Sequence, residues 1–261
     1  MISVPVLSLS GLTKRFGGIQ AVSGVSFDLA PGAITAVIGP NGAGKTTLIN
    51  LITGVLSLND GAIRLEGADI TNEPVHRRAV AGVARTYQTP QMAAGMSVLR
   101  NVMAGAYRFG RYGLLSTLLR PWTIITENEE MAERAAHALR RVSVPEEWWH
   151  QPASDLPYGL QRRVEIARAL AQDPKVILLD EPAAGLNPSE TADLARLLTD
   201  IAADGRAVLL VEHDMPMVMS ISSHVVVINF GRKLAEGTPA QILTNPEVIA
   251  AYLGSDEEEA A

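Results

Sequence analysis

The chain has no cysteine among its 261 residues, and this absence removes disulfide staples, thiolate zinc sites and cysteine nucleophiles at once. It agrees with a reducing compartment and leaves any metal to oxygen or histidine ligands. Positive charge is also short. With 22 Lys and Arg against 28 Asp and Glu, the formal net charge is -6, so the overall balance gives no footprint for nucleic acid, although local arginine clusters remain. Long apolar runs are missing too: no stretch approaches the roughly 20 residues of a membrane-spanning helix. A membrane connection is therefore expected to come through a partner. The start MISVPVLSLS carries neither the charged region nor the long apolar core of a secretion signal. The acidic end Asp256, Glu257, Glu258 and Glu259 reads as a solvated tail.

What is present is a chain long enough for one large domain or two small lobes around a sizeable apolar core. The first stretches, VLSLSGLTKRF and VSFDLAPG, alternate and turn like short antiparallel strands. The unbroken apolar run ITAVIG that follows reads as a strand of the buried parallel kind. After GAIRLEG the character changes, and from about Ser97 to Val144 the chain is rich in Ala, Leu and Arg at helical spacing. This suggests a helical lobe inserted into the sheet domain and closing near Asp155. Buried-strand runs return as VILLD, AVLLVEHD and VVVIN, separated by helical segments such as Ser189 to Ala203. Strands alternating with helices argue for a wound, largely parallel sheet. There is no internal repeat and no low-complexity linker, so one nucleotide-sized unit is expected.

Chemistry concentrates in GPNGAGKT, Gly39 to Thr46, which fits GxxxxGK[ST] directly after the strand ITAVIG and directly before the helix TTLINLITG. Glycines let successive backbone N–H groups turn inward around a phosphate, Lys45 reaches the terminal phosphates, and the Thr46 hydroxyl suits Mg²⁺. In VILLDE, Val176 to Glu181, a carboxylate sits at the C-terminal end of a buried strand, the edge of an open α/β sheet where ligands bind. Asp180 is suited to hold Mg²⁺ through water, and Glu181 to take a proton from an attacking water. A lone Asp-Glu pair there is as readily a helix cap; the phosphate loop beside it favours the catalytic reading. AVLLVEHD repeats the geometry and leaves His213 beyond a strand end, while Gln88, in RTYQTP, occupies a turn. By themselves a histidine and a glutamine so placed are ordinary polar residues. The stretch LPYGLQRRVEIARAL, residues 156 to 170, runs a Pro-Tyr-Gly turn into a helix with Val164, Ala167 and Leu170 on one face and Arg162, Arg163 and Arg168 on another. Its N-terminus is a candidate anion site.

Taken in order, the phosphate loop, LPYGLQRRVEIARAL, VILLDEPAAGLNP and VEHD resemble the nucleotide-binding subunits of ABC transporters over essentially the whole chain. The wording of KRFGGIQAVSGVSFDL, RTYQTPQMAAGMSVLRNV and EPAAGLNP is most similar to the ATP-binding subunit of branched-chain amino-acid importers, with lipopolysaccharide-export subunits as the nearest look-alike. The resemblance implies an α/β P-loop NTPase fold with a largely parallel core sheet and an antiparallel N-terminal β lobe over about 1–87 and 172–261. An inserted α-helical lobe over about 88–171 completes one ATP-binding domain, 1–261. It also implies ATP and Mg²⁺ as ligands. The nucleotide would be held by Gly39, Pro40, Asn41, Gly42, Ala43, Gly44, Lys45, Thr46 and Thr47, with Phe16 stacking on adenine. Glu181 would be the general base, His213 the γ-phosphate contact, and Gln88 the sensor of Mg²⁺ or water that relays to membrane subunits; Thr46, Gln88 and Asp180 would face the metal.

LPYGL stands where that family has its LSGGQ signature, which caps the ATP held by the other subunit of a head-to-tail dimer. Pro157, Tyr158 and Leu160 depart from the signature while Gly159 is kept, so Pro157, Tyr158 and Gly159 are expected to meet a neighbour's nucleotide. Asn187 stands where the family usually has Asp at the dimer seam. The expected partners are two transmembrane permease subunits and a sister ATPase, with a heterodimer favoured over a homodimer because the altered signature would then weaken only one site. A solute-binding protein would act indirectly, and no nucleic acid is expected. The location implied is the cytoplasmic face of the inner membrane, peripherally bound. A low-turnover, nucleotide-gated binding module stays open as another class. A non-transport ABC ATPase is disfavoured by the lack of a paired unit or inserted arm, and a P-loop kinase or GTPase by the lack of a guanine-reading motif or acceptor pocket.

Overall fold

The computed structural model describes residues 4–93, 95–107 and 121–258, without the side chains of 121–127 and 253–258. Glu259 of the acidic end and part of the helical stretch anticipated between Ser97 and Val144 lie outside the described residues, while the backbone of Asp256, Glu257 and Glu258 continues a helix. Two compact units emerge, Met1–Gln88 with Lys175–Ala261, and Thr89–Pro174.

The first unit holds two sheets. Strands β1 (Leu7–Phe16) and β2 (Ile19–Leu29) form an antiparallel hairpin, extended by β4 (Asp60–Leu65) and β5 (Ala68–Asp69) in the order β2-β1-β4-β5. The hairpin strands were expected to be short but run 10 and 11 residues. Irregular register at Leu9/Leu12 and Leu12/Lys14 lets the ribbon continue where the apolar alternation breaks. The second sheet has the order β10-β9-β3-β8-β7-β6, built from β3 (Ile34–Ile38), β6 (Val83–Arg85), β7 (Val176–Asp180), β8 (Ala207–Val211), β9 (His224–Asn229) and β10 (Arg232–Gly237). All neighbours are parallel except β9 and β10. The runs ITAVI, VILLD and AVLLV are buried at every position, as unbroken apolar strands of a parallel sheet should be.

Helix Lys45–Thr53 fills the space between the sheets. Its Leu48, Ile49, Leu51 and Ile52 are fully buried with Leu9, Leu12 and Val25 of one sheet and Val37, Leu178 and Leu209 of the other. Each such side chain contributes about 1.5–3 kcal/mol, so the segment that begins at the phosphate loop is firmly anchored between the sheets. At its far end Gly54 closes the helix, and the buried Arg78 donates to the carbonyls of Leu51 and Ile52 at 2.6 and 2.7 Å. A guanidinium on the last carbonyls complements the helix dipole. Helices Val75–Ala81, Pro188–Ala203, Met215–Ile221, Pro239–Leu243 and Pro246–Glu258 complete the unit.

The second unit packs helix Val98–Ala106 against helices Pro121–Arg141 and Tyr158–Leu170. Asn101, 2% exposed, accepts from the Ala93 N–H and donates to the carbonyls of Ala93, Met96 and Ser97, which fixes the preceding loop. Arg162 does not point to solvent: it is 3% exposed, 3.7 Å from Glu165 and 5.3 Å from the Tyr158 ring centroid. Arg168 closes the cluster at 3.6 Å from Glu165.

Candidate functional site

Four adjacent parallel strands, β3, β8, β7 and β6, end on the same edge of the second sheet. Chain continuity then delivers the phosphate loop after β3, Glu181 after β7, His213 after β8 and Gln88 after β6 to one place. Strand spacing of about 4.8 Å sets their reach, and open α/β sheets bind ligands at this edge.

Within the loop, Lys45 is 6% exposed and folds back so that Nζ donates to the carbonyls of Gly39 at 2.7 Å and Pro40 at 2.9 Å. Burial lowers its pKa, while Glu181 and Asp180 pull it back up. A Cβ on Gly39 would lie 2.0 Å from the Ile228 carbonyl oxygen, so this glycine is required by the packing of the loop on β9. Gly42 differs: it has open space around it but φ +74, a conformation that L side chains adopt at a cost. Helix Lys45–Thr53 starts from Gly44 with no side-chain cap and no acidic residue in its first turn. Its first N–H groups and positive dipole end suit an anion. Asn41, Gly42 and Thr46 are exposed, Pro40, Gly44 and Thr47 half-buried, and Ala43 buried.

Glu181 sits at φ +48, a left-handed position that costs a non-glycine residue about 1–3 kcal/mol. That turn presents its carboxylate to two partners: Gln88 Nε2 donates to Oε2 at 2.5 Å, and His213 Nε2 lies 2.7 Å from Oε1. Three residues of the expected site are thus joined. Asp180, 4% exposed, has its pKa raised by burial, an effect opposed by Arg85, whose Nη2 lies 3.0 Å from Oδ2. Among the described residues, no group of three or more His, Asp or Glu is arranged to hold a metal. A hydroxyl, an amide and a carboxylate do suit Mg²⁺, a hard ion that keeps several waters and takes phosphate oxygens alongside one or two carboxylates. Phe16 ends β1 at 47% exposed, with Lys14 Nζ 5.3 Å from its ring centroid.

Three residues of this edge were not singled out in the sequence. Glu212, 4% exposed, accepts from the Ala183 N–H at 2.6 Å and from the His213 N–H at 2.9 Å, and burial raises its pKa. A second acid at a strand end, in VEHD, was the available signal. Tyr252 hydrogen-bonds to the backbone of Gly39, and burial pushes its phenol up to about 12. Arg85 is the third; nothing local to RTYQTP marks its partners.

In the second unit, helix Tyr158–Leu170 begins at Pro157 with no side-chain cap. Pro157 and Tyr158 are exposed, Gly159 is half-buried, and Gln161 Nε2 donates back to the Leu156 carbonyl at 2.8 Å. Asn187, in the first unit, is a helix N-cap: its Oδ1 accepts from Ser189 and Glu190 N–H groups, and Glu190 returns the bond to the Asn187 N–H.

Sheet order, phosphate loop and strand-end acids define a P-loop nucleotide-binding protein. The ABC transporter family model matches residues 22–184, and a model described as branched-chain amino acid ATP-binding cassette transporter matches 232–258. Over 254 residues the chain is 45% identical to the high-affinity branched-chain amino acid transport ATP-binding protein BraF of Pseudomonas aeruginosa, covering 97% of this chain and 99% of that one. It is 43% identical, with the same coverage, to the corresponding protein LivG of Escherichia coli. A crystal structure of the ADP conformation of an ATP-binding cassette of an ABC transporter superposes with TM-score 0.84 at 35% identity, covering 97% of this chain and 100% of that one. The chain belongs to the ABC transporter family, as a nucleotide-binding ATPase subunit. Among its described residues no helix is long and apolar enough to cross a membrane.

Proposed function

We propose that this chain hydrolyses MgATP to power uptake of branched-chain or related amino acids through two transmembrane permease subunits. It would work at the cytoplasmic face of the membrane and pair head to tail with a sister ATPase. The observation that carries the ATPase chemistry is Glu181, held between Gln88 and His213 at the sheet edge that begins with the phosphate loop. The transport reading rests on the relatives, named as branched-chain amino acid transport ATP-binding proteins and similar to this chain from end to end.

In this mechanism Lys45 exchanges the Gly39 and Pro40 carbonyls for the terminal phosphate oxygens of ATP, a charge-assisted contact stronger than the neutral ones it leaves. Phe16 offers its ring to the base. The Glu181 carboxylate, with two lone pairs on each oxygen, takes the water proton, and its basicity rises as Gln88 and His213 turn from it toward the nucleotide. His213 then donates to the γ-phosphate and Gln88 orients the water, which couples removal of the proton to arrival of the nucleotide. Bound Mg²⁺ would neutralise charge on the β- and γ-phosphates; Thr46, Gln88 and, through water, Asp180 would hold it.

The deciding experiment is Glu181→Gln in the assembled complex. Nucleotide binding should persist because the site keeps its shape, while turnover falls by about two to four decades, the usual worth of a general base. Substantial turnover by this variant would remove Glu181 from the role. For the transport reading, vesicles holding the complete complex should take up leucine, isoleucine or valine in an ATP-dependent manner, and uptake of none of them would overturn it.

A further inference from the structure

Arg85 is the last residue of β6, and its guanidinium is almost enclosed: the side chains of Arg85 and Asp180 are 10% and 5% exposed. It has three neighbours. Nη2 lies 3.0 Å from Asp180 Oδ2, at the end of the adjacent strand. Nη1 donates to Asn50 Oδ1 at 2.5 Å, on the helix that follows the phosphate loop. The guanidinium carbon stands 4.8 Å from the ring centroid of Tyr87, the residue before Gln88. Nε is buried without a hydrogen-bond partner. So costly a placement of a charge needs a counter-ion, and among the described residues the acid paired with it is the one at the end of β7.

We propose that Arg85 is the positioning residue for Asp180: it occupies Oδ2 permanently and leaves Oδ1 as the oxygen that faces the Mg²⁺ site. This inference rests on the reading of Asp180 as the carboxylate that holds the metal through water. Asn50 fixes one arm of the guanidinium and Asp180 takes the other, so the carboxylate plane is set from the phosphate-loop helix. Groups that orient a metal ligand from behind in this way commonly set metal affinity within about 10- to 100-fold. Tyr87, 43% exposed, covers the guanidinium on the side of the Gln88 segment.

The test compares a fluorescent ATP analogue bound in Mg²⁺ and in EDTA, so that the metal contribution is read without turnover. Arg85→Gln should leave the EDTA affinity unchanged and reduce the gain on adding Mg²⁺ by about ten- to a hundredfold. Arg85→Lys, which keeps the charge but not the fork, should recover part of that gain. Asn50→Ala, which frees one arm without removing the cation, should lose less in the same direction, and it carries the test if Arg85→Gln does not fold. Equal losses in Mg²⁺ and EDTA, or an unchanged Mg²⁺ gain, would overturn the assignment. Asp180→Asn separates the two levels. If it abolishes the Mg²⁺ gain while the Arg85 and Asn50 variants keep it, the positioning role fails alone; if Asp180→Asn keeps the gain, the metal reading of Asp180 fails with it.

Discussion

Replacing Glu212 by Gln tests whether the edge around Glu181 is held from beneath. The buried Glu212 carboxylate accepts the Ala183 N–H at 2.6 Å with one oxygen and the His213 N–H at 2.9 Å with the other, and it also hydrogen-bonds the Asp214 backbone. It therefore ties the chain just after Glu181 to the chain that carries His213. Gln is isosteric but presents an NH₂ to one of those N–H groups, so at least one bond to a charged acceptor is lost, worth about 1.5–3 kcal/mol. Removing a buried charge offsets part of this. The net loss should appear as a drop in Tm of a few degrees at neutral pH, about 2–4 °C per kcal/mol for a chain of this size. Turnover should fall further than stability. If the His213 backbone relaxes by about 1 Å, catalytic geometry of this kind loses around a hundredfold. The sign of the pH dependence follows from the raised pKa. Stability contributed by Glu212 is fully present below the ordinary carboxylate range and is lost as pH rises through its folded value. Gln does not titrate, so the stability gap between parent and variant should narrow as pH rises across that window. Thermal unfolding as a function of pH and ATPase turnover of the assembled complex are the assays. Parent-like turnover together with a lowered Tm would show that the clamp serves the fold and not the chemistry, and a gap that widens with pH would show that the three N–H groups outweigh burial.

Phe16→Ala should weaken ATP and GTP together by about 1–3 kcal/mol, the usual range for aromatic–base stacking; unchanged affinity in a nucleotide titration would return Phe16 to an ordinary surface role. In the segment Gln88 to Val98, Met96 is 48% exposed while Val98 is fully buried, so a cysteine at Met96, in a chain that has no other, should crosslink to a permease. No crosslink from any position between Gln91 and Met96 would count against this segment as the coupling surface. Pro157→Ser should raise turnover or tighten ATP on the sister subunit while leaving the Lys45 site unchanged, and identical behaviour of the two complexes would show that the proline carries no asymmetry.

The elements legible in the sequence are those whose signal is local. ITAVI, VILLD and AVLLV are unbroken apolar runs, and each became a buried parallel strand. The phosphate loop announced itself because eight consecutive positions, Gly39 to Thr46, carry its pattern between a strand and a helix. Arg162 shows the limit. Spacing set it with Arg163 and Arg168 away from the apolar stripe, yet it is buried against Glu165 and Tyr158, and periodicity does not separate a solvated charge from a paired one. Arg85 and Asp180 are 95 positions apart, and Ala183 and Glu212 are 29 apart; only the strand order β8-β7-β6 brings such pairs together. The capping box of Asn187 was readable, since Asn-Pro-Ser-Glu places a glutamate three residues after the cap. The resemblance drew attention instead to the missing aspartate.

That capping box bears on the altered signature. In the helices capped by Ser97, Asn187, Asp214 and Thr238, a first-turn N–H donates to the N-cap side chain. The helices from Lys45 and Tyr158 follow a glycine and a proline, and their first-turn N–H groups have no cap side chain to donate to. Neither residue type is able to satisfy the first-turn N–H groups, so in both helices these donors stay available to an anion. At Pro157 the missing hydroxyl therefore has two faces. A serine there adds a donor for a partner's γ-phosphate, worth about 1.5–3 kcal/mol, but its oxygen is also a good N-cap, worth about 0.5–2 kcal/mol to its own helix. The larger value would belong to a bond formed only across the proposed dimer, and the smaller to one that forms in the isolated chain as well. Pro157→Ser should accordingly stabilise the free subunit slightly and affect ATP only in the assembled complex. A variant that gains Tm without any change in ATP handling would mean that serine turned inward, and that proline in this chain keeps the helix end open for its neighbour.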